Sequence, residues 1–105
     1  MTDSPLYAIR RTKQFKKDVE RLKKQGSDLT LLEIIIDLLS TSDRPLDEKY
    51  RDHPLLGKEK GFRECHIKGD WLLKYIKDKK TLVLVLVLVL VLTRTGTHQD
   101  LFGAD

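Results

Sequence analysis

Apolar and polar positions along the chain change period several times, and each change marks an element. Leu6 to Arg10 (LYAIR) alternates in part, as a short edge strand does. Thr12 is placed to cap a helix over Lys13 to Gln25, where Phe15, Val19 and Leu22 recur at i, i+4 and i+7 as a narrow apolar stripe. Gly26 ends that helix, and Ser27 or Asp28 caps the next. Leu29 to Leu39 is apolar at Leu29, Leu31, Leu32, Ile34, Ile35, Ile36, Leu38 and Leu39, which predicts the main core helix with little of it facing water. Thr41 to Lys60 is polar and carries Pro45, Pro54 and Gly57, so it reads as a long loop of the kind that often holds function. Three strands are predicted after it, Phe62 to Lys68, Trp71 to Lys77 and Leu82 to Thr93. Gly69-Asp70 and Asp78 to Lys80 join them as tight connections, and antiparallel hairpins are the economical arrangement. The chain closes on Thr95-Gly96-Thr97 and a short turn, His98 to Phe102.

Residues 82–92 read LVLVLVLVLVL. A membrane-spanning helix needs about 20 apolar residues, so this run of eleven is not one. Its leucines all stand at even positions and its valines at odd ones, so adding or removing whole Leu-Val units leaves each face unchanged and register poorly specified. Repeat expansion, natural or engineered, is the simplest origin. Thr81 to Thr93 has thirteen residues against seven in Trp71 to Lys77, which leaves six without a hairpin partner. Either these residues bulge or loop out and preserve a monomeric site, at a cost for eleven apolar β-formers in solvent, or the strand pairs with a second copy as a strand-exchanged or edge-paired homodimer through residues 82–92, the favoured expectation. Arg94 and His98 would then be carried roughly 20 Å from the earlier histidines, at ~3.3 Å per residue.

One hundred and five residues with 34% charged and 40% apolar positions fit a single globular domain spanning 1–105. Twenty Lys and Arg against sixteen Asp and Glu give +4. From Arg10 to Lys24, however, Arg10, Arg11, Lys13, Lys16, Lys17, Arg21, Lys23 and Lys24 face only Asp18 and Glu20, a local +6 that exceeds the whole. Such a stripe is either a solvated helix face or a docking surface for a polyanion such as RNA. The first residues, MTDSPLYAIR, lack the basic-then-apolar pattern of a secretory signal, so a cytoplasmic protein with no membrane partner is expected. Cys65 is the single cysteine and reads as a small buried hydrophobe. His53, His66 and His98 contain no short ligand pair, so no metal and no cofactor is expected.

Those histidines sit in four ordered motifs: Asp52-His53-Pro54-Leu55 with Gly57, Arg63 with His66-Ile67, Asp70-Trp71-Leu72-Leu73 with Tyr75, and Arg94-Thr95-Gly96-Thr97-His98 with Leu101-Phe102. The order DHPL-x-G, RxxHI, DWLLxY and RTGTHxxLF runs over more than half of the chain and closely resembles the YafQ branch of the RelE-type bacterial toxins. The resemblance implies an α+β fold with two N-terminal helices packed on an antiparallel β-sheet. It also implies a ribosome-dependent messenger-RNA endonuclease, one half of a toxin–antitoxin pair. Residue by residue, His53, His66, Asp70 and His98 match the family's catalytic positions. Arg94 matches its phosphate-contacting arginine, and Trp71 and Phe102 match positions that shape the site, although both also suit packing roles. Arg63 is a candidate second phosphate contact or a structural salt bridge.

The chemistry of the residues suits those roles. RNA cleavage by the 2′-hydroxyl needs a base, an acid and a cation on the phosphate, and no metal. Histidine titrates near neutrality and serves both proton transfers, while the planar fork of arginine binds two phosphate oxygens. Asp70 is expected to orient or charge one imidazole while His98 or His66 exchanges the proton. The partners implied are a cognate antitoxin, for which the basic stripe offers a landing surface, and the ribosome with its messenger. Two other readings stand beside this one: a non-enzymatic toxin-fold inhibitor of a protein target such as a topoisomerase, which would need no acid–base group, and an expanded, strand-exchanged assembly variant. The Leu-Val strand is longer than the one the family carries at that place.

Overall fold

A computed structural model describes residues 6–82 and 85–102, and side chains over 80–87 lie outside the description. Two helices and a short third one pack on a five-stranded sheet. Strand β1 (Ala8–Arg11) leads directly into helix α1 (Lys13–Lys24), because Thr12 both ends the strand and caps the helix. Its hydroxyl accepts from the Phe15 amide at 3.0 Å, satisfying one of the free donors of the first turn. Asp28 does the same for α2 (Leu29–Thr41) through the Thr30 amide.

The expected long loop is not featureless. It holds single turns of 3-10 helix at Glu48–Tyr50 and Gly57–Glu59, and between them the two-residue strand β2 (His53–Pro54). Strands β3 (Arg63–Lys68), β4 (Trp71–Leu82) and β5 (Val85–Gly96) follow, and α3 (His98–Phe102) closes the described chain. The sheet order is β1-β5-β4-β3-β2. All pairings are antiparallel except that of β1, which lies parallel to β5 with Ala8 opposite Val89 and Arg11 opposite Leu92.

Two expectations from the sequence are corrected. Asp78 to Lys80 is not a turn but the continuation of β4, paired with Val89, Leu88 and Val87. The hairpin therefore turns later, and Leu82 of the Leu-Val run belongs to β4, opposite Val85. Thr81, Leu82 and Val85 to Leu88, expected to lack a hairpin partner in part, are paired within the chain. The run of charge over Asp78 to Lys80 reads as a turn in the sequence, but charged side chains are common on strands with an open edge, and β4 has no β3 partner beyond Tyr75. The second correction concerns α2. Leu32, Ile35, Ile36 and Leu39 are buried, yet Ile34 and Leu38 are about half exposed, so the helix shows one apolar face to solvent.

The core lies between the helices and one sheet face. Phe15, Leu32, Ile35, Ile36 and Leu39 meet Cys65, Ile67, Leu73, Tyr75, Leu90 and Leu92, with Tyr7 closing one end. The parity of the Leu-Val run is visible in its described part: Leu90 and Leu92 are fully buried, while Val89 and Val91 are only partly so. The expected faces of 82–87 lie outside the described side chains.

Candidate functional site

The sheet face away from this core carries the chemistry, and a β-bulge decides what stands on it. Strict alternation would keep Arg94 on the same face as Leu90 and Leu92. Between Lys74 and Tyr75 the register shifts, however, so that Tyr75 opposes Leu92 while Lys74 opposes Arg94, and Thr93 is the extra residue. One residue out of step exchanges the faces beyond it. Thr12 holds this bulge: its hydroxyl donates to the Thr93 carbonyl at 2.8 Å, and its amide donates to Leu92. Directly opposed residues share a face, so His53, Glu64, Lys74 and Arg94 form one cross-strand row. His66, Leu72 and Gly96 form the row beside it.

Asp70 and His98 complete the group from outside the strands. Gly69, at φ +55°, takes the first central place of the two-residue β3–β4 turn, where a residue without Cβ is favoured, and Asp70 follows it. The Asp70 carboxylate accepts from His98 Nδ1 at 2.8 Å. The His66 ring lies 6.4 Å from that of His53 and 6.3 Å from that of His98. The structure thus brings the three histidines together, and the expected separation of Arg94 and His98 by the long strand does not occur.

Hydrogen bonding fixes how the rings are used. His53 Nδ1 faces the Arg51 carbonyl at 2.6 Å, and His66 Nδ1 faces the Gly69 carbonyl at 3.3 Å. A carbonyl or a carboxylate only accepts, so all three Nδ1 atoms are donors, and each neutral ring presents Nε2 as the atom free to exchange a proton. Two of these Nε2 atoms turn to the same acid: Glu64 Oε1 is 3.9 Å from His53 and 3.6 Å from His98. Glu64 is 2% exposed, a buried carboxylate between two imidazoles. Nothing in the sequence marked it, because a glutamate in an alternating strand reads as a solvent-facing residue.

Lys74 was missed for the same reason. It is buried, ion-paired with Glu59, and its ammonium lies 4.3 Å from the centre of the Phe62 ring and 5.7 Å from that of Phe102. Phe102 is exposed at the rim, 6.0 Å from the His98 ring, whereas its neighbour Leu101 is the buried packing residue. Trp71 packs against the core and donates its indole N–H to the Thr95 hydroxyl at 2.9 Å.

Arg63 is a brace. Its guanidinium reaches both oxygens of Asp52 at 3.3–3.4 Å, and the Tyr75 hydroxyl donates to the same carboxylate at 2.5 Å. Burial, reinforced by Asp52, pushes the Tyr75 hydroxyl far up, so it stays a donor and secures the residue next to His53. Burial likewise pushes the Cys65 thiol up, which keeps it inert.

In the basic stripe Arg10, Arg11, Lys13, Lys16, Lys17, Lys23 and Lys24 are all exposed. Arg21 is not part of that free surface: it bonds Asp18, the Thr95 carbonyl and Asp100. Close by, Gly96 has φ +145°, and a Cβ there would lie 2.6 Å from Arg21 Nη2 and 2.7 Å from Asp100 Oδ2. The glycine of the RTGTH segment is thus favoured by its backbone angle, and a side chain there would also displace the Arg21 and Asp100 side chains.

A small α+β domain carries three clustered histidines, one of them held by a carboxylate, on a single sheet face, and its class is that of the type II toxin–antitoxin toxins. The sequence matches the family described as "Bacterial toxin of type II toxin-antitoxin system, YafQ" over residues 7–103, and the chain belongs to that family. It is 39% identical over 90 residues to the mRNA interferase toxin YafQ of Escherichia coli strain K12, covering 86% of this chain and 89% of the relative. The crystal structure of YafQ from E. coli strain BL21(DE3) superposes with a TM-score of 0.81 at 36% identity, covering 92% of this chain and 99% of that one. YafQ in the crystal structure of the E. coli DinJ–YafQ toxin–antitoxin complex is similar at a TM-score of 0.80 and 37% identity, covering 93% and 99%.

Proposed function

We propose that this chain is a ribosome-dependent messenger-RNA endoribonuclease, the toxin of a type II toxin–antitoxin pair, which cuts by attack of the 2′-hydroxyl without a metal. The observation that carries the reading is the convergence of three histidines, each committed through Nδ1, on one sheet face with Arg94 at the end of their row. In-line attack by a 2′-oxygen needs a base to remove its proton and an acid to protonate the departing 5′-oxygen. His98 and His53, whose Nε2 atoms flank Glu64, are assigned these two transfers, with His66 between them. Asp70 holds the His98 tautomer and stabilises its imidazolium, as a carboxylate does for a catalytic histidine generally. Arg94 stabilises the charge that grows on the phosphate. Phe102 offers its exposed ring to a nucleobase beside His98.

The exposed lysines and arginines of the stripe dock ribosomal RNA through sequence-independent phosphate contacts, and the same surface receives an acidic segment of a cognate antitoxin. A ribosomal substrate implies a cytoplasmic site of action. A message carrying a 2′-O-methyl group at the cleaved nucleotide tests the chemistry. It is expected to resist cutting, while the unmodified message leaves a 2′,3′-cyclic phosphate on the upstream fragment. Equal cutting of both messages, with a 3′-hydroxyl product, would overturn the reading.

A further inference from the structure

Asp18 stands where a hydrophobic residue is expected. Phe15, Asp18 and Leu22 form the buried row of α1, and Asp18 is 0% exposed. An unpaired carboxylate at such a position would cost several kcal/mol, so its partners explain its presence. Arg94 gives two bonds, from Nε at 2.7 Å and Nη2 at 3.2 Å. Arg21 Nη1 at 2.9 Å, the Thr95 amide at 3.1 Å and Gln14 Nε2 at 3.3 Å complete the set.

The consequence reaches the site. Arg94 starts on the histidine face, opposite Lys74, yet its guanidinium is drawn across the sheet end to α1. Nη2 also donates to the Asp100 carbonyl at 3.0 Å, and Nη1 has no hydrogen-bond partner among the described residues. Asp100 in turn accepts from the Thr97 amide and donates its own amide to the Thr97 hydroxyl, which fixes the start of α3 and with it His98. Through Arg94 and Arg21, Asp18 therefore links α1 to the two catalytic groups supplied by the end of the chain, the arginine and the terminal histidine.

We propose that Asp18 is a positioning residue for phosphate cleavage, which clamps the Arg94 fork so that Nη1 faces the substrate and holds the His98 helix against the strand end. The inference rests on the nuclease reading above. A double-mutant cycle of Asp18→Asn and Arg94→Ala on programmed ribosomes tests it, read as single-turnover cleavage at saturating ribosome. Asp18→Asn keeps the size and one acceptor oxygen, and is expected to slow cleavage about 10- to 100-fold, the range for a misplaced catalytic group, with ribosome affinity nearly unchanged. In the Arg94→Ala background the same substitution is expected to slow the rate little further. Equal, multiplicative losses in both backgrounds would show that Asp18 acts independently of Arg94 and would overturn the proposal.

Two further readouts do not depend on the folding of the Asp18 variant. Arg94→Lys leaves Asp18 a cationic partner but no fork, and is expected to lose as much rate as Arg94→Ala; full activity would contradict the clamp. In the free protein the Arg94 Nε–H resonance is expected to be slow to exchange, and rapid exchange would equally contradict it. Absence of cleavage by the unaltered protein would instead overturn the nuclease reading itself, a result distinct from any of these.

Discussion

Buried charge organises this molecule at the scale of single residues. Asp18, Glu64 and Lys74 are nearly or wholly buried and ionisable, and each is accepted because a neighbour from a distant segment answers it. Burial alone would raise the Asp18 carboxyl, but the hydrogen bonds from Arg94, the Thr95 amide, Arg21 and Gln14 outweigh it and hold the group below its ordinary value. The sign of the effect on stability follows from linkage. The unfolded chain binds a proton at Asp18 more readily than the folded one, so the carboxylate stabilises the fold above the unfolded value near 3.9, and that contribution is lost as pH falls through the lower, folded value. Thermal unfolding followed between about pH 5 and pH 2 is expected to show a steeper acid loss for the unaltered protein than for Asp18→Asn. Parallel curves would assign the acid sensitivity to other carboxylates. The histidines, Asp70 and Arg94 were legible in the sequence because they lie in recognisable motifs. Asp18, Glu64 and Lys74 were not, since a charge in a periodic segment looks solvent-facing until its partners are placed. Arg63 was readable only as a choice, which Asp52 and Tyr75 decide in favour of bracing.

At the scale of elements, the hairpin of β4 and β5 is the unusual feature. Beyond Tyr75, where pairing to β3 ends, β4 continues as far as Leu82, and β1 covers only Val89 to Leu92 of its partner among the described residues. The helices, their caps and the existence of every long strand were legible from periodicity. The turn position and the Thr93 bulge were not, because a uniform Leu-Val alternation fits many registers equally and conceals any single-residue step. What chooses the register is the fixed end: Thr12 on the Thr93 carbonyl, and Leu90 and Leu92 in the core. Among the described residues, one copy supplies the pairings of β5 on both of its sides. Light scattering of the purified protein is expected to return the mass of one chain at micromolar concentration. A mass of two chains would show that the open edges of the ribbon associate despite the exposed charge of Lys79 on β4.

For the whole molecule, the two sheet faces divide the work. One is buried under α1 and α2 and supplies stability; the other gathers His53, Glu64, His66, Lys74 and Arg94, while Asp70 and His98 reach it from a turn and the last helix. The bulge connects the two functions, because it lets a strand that begins as core leucines end with an arginine on the site face. The long ribbon leaves this arrangement intact, since Arg94 and His98 stand at the end of β5 that pairs with Lys74 and Leu72, away from Leu82 and Val85. The most direct test of the account is cleavage of a messenger on a programmed ribosome by the unaltered protein and by His98→Ala, with 5′ ends mapped. A cut in the unaltered sample, slowed about 100-fold or more by the substitution, is the expected result for a residue that transfers a proton in the reaction. An intact message, or equal cutting by both proteins, would contradict it.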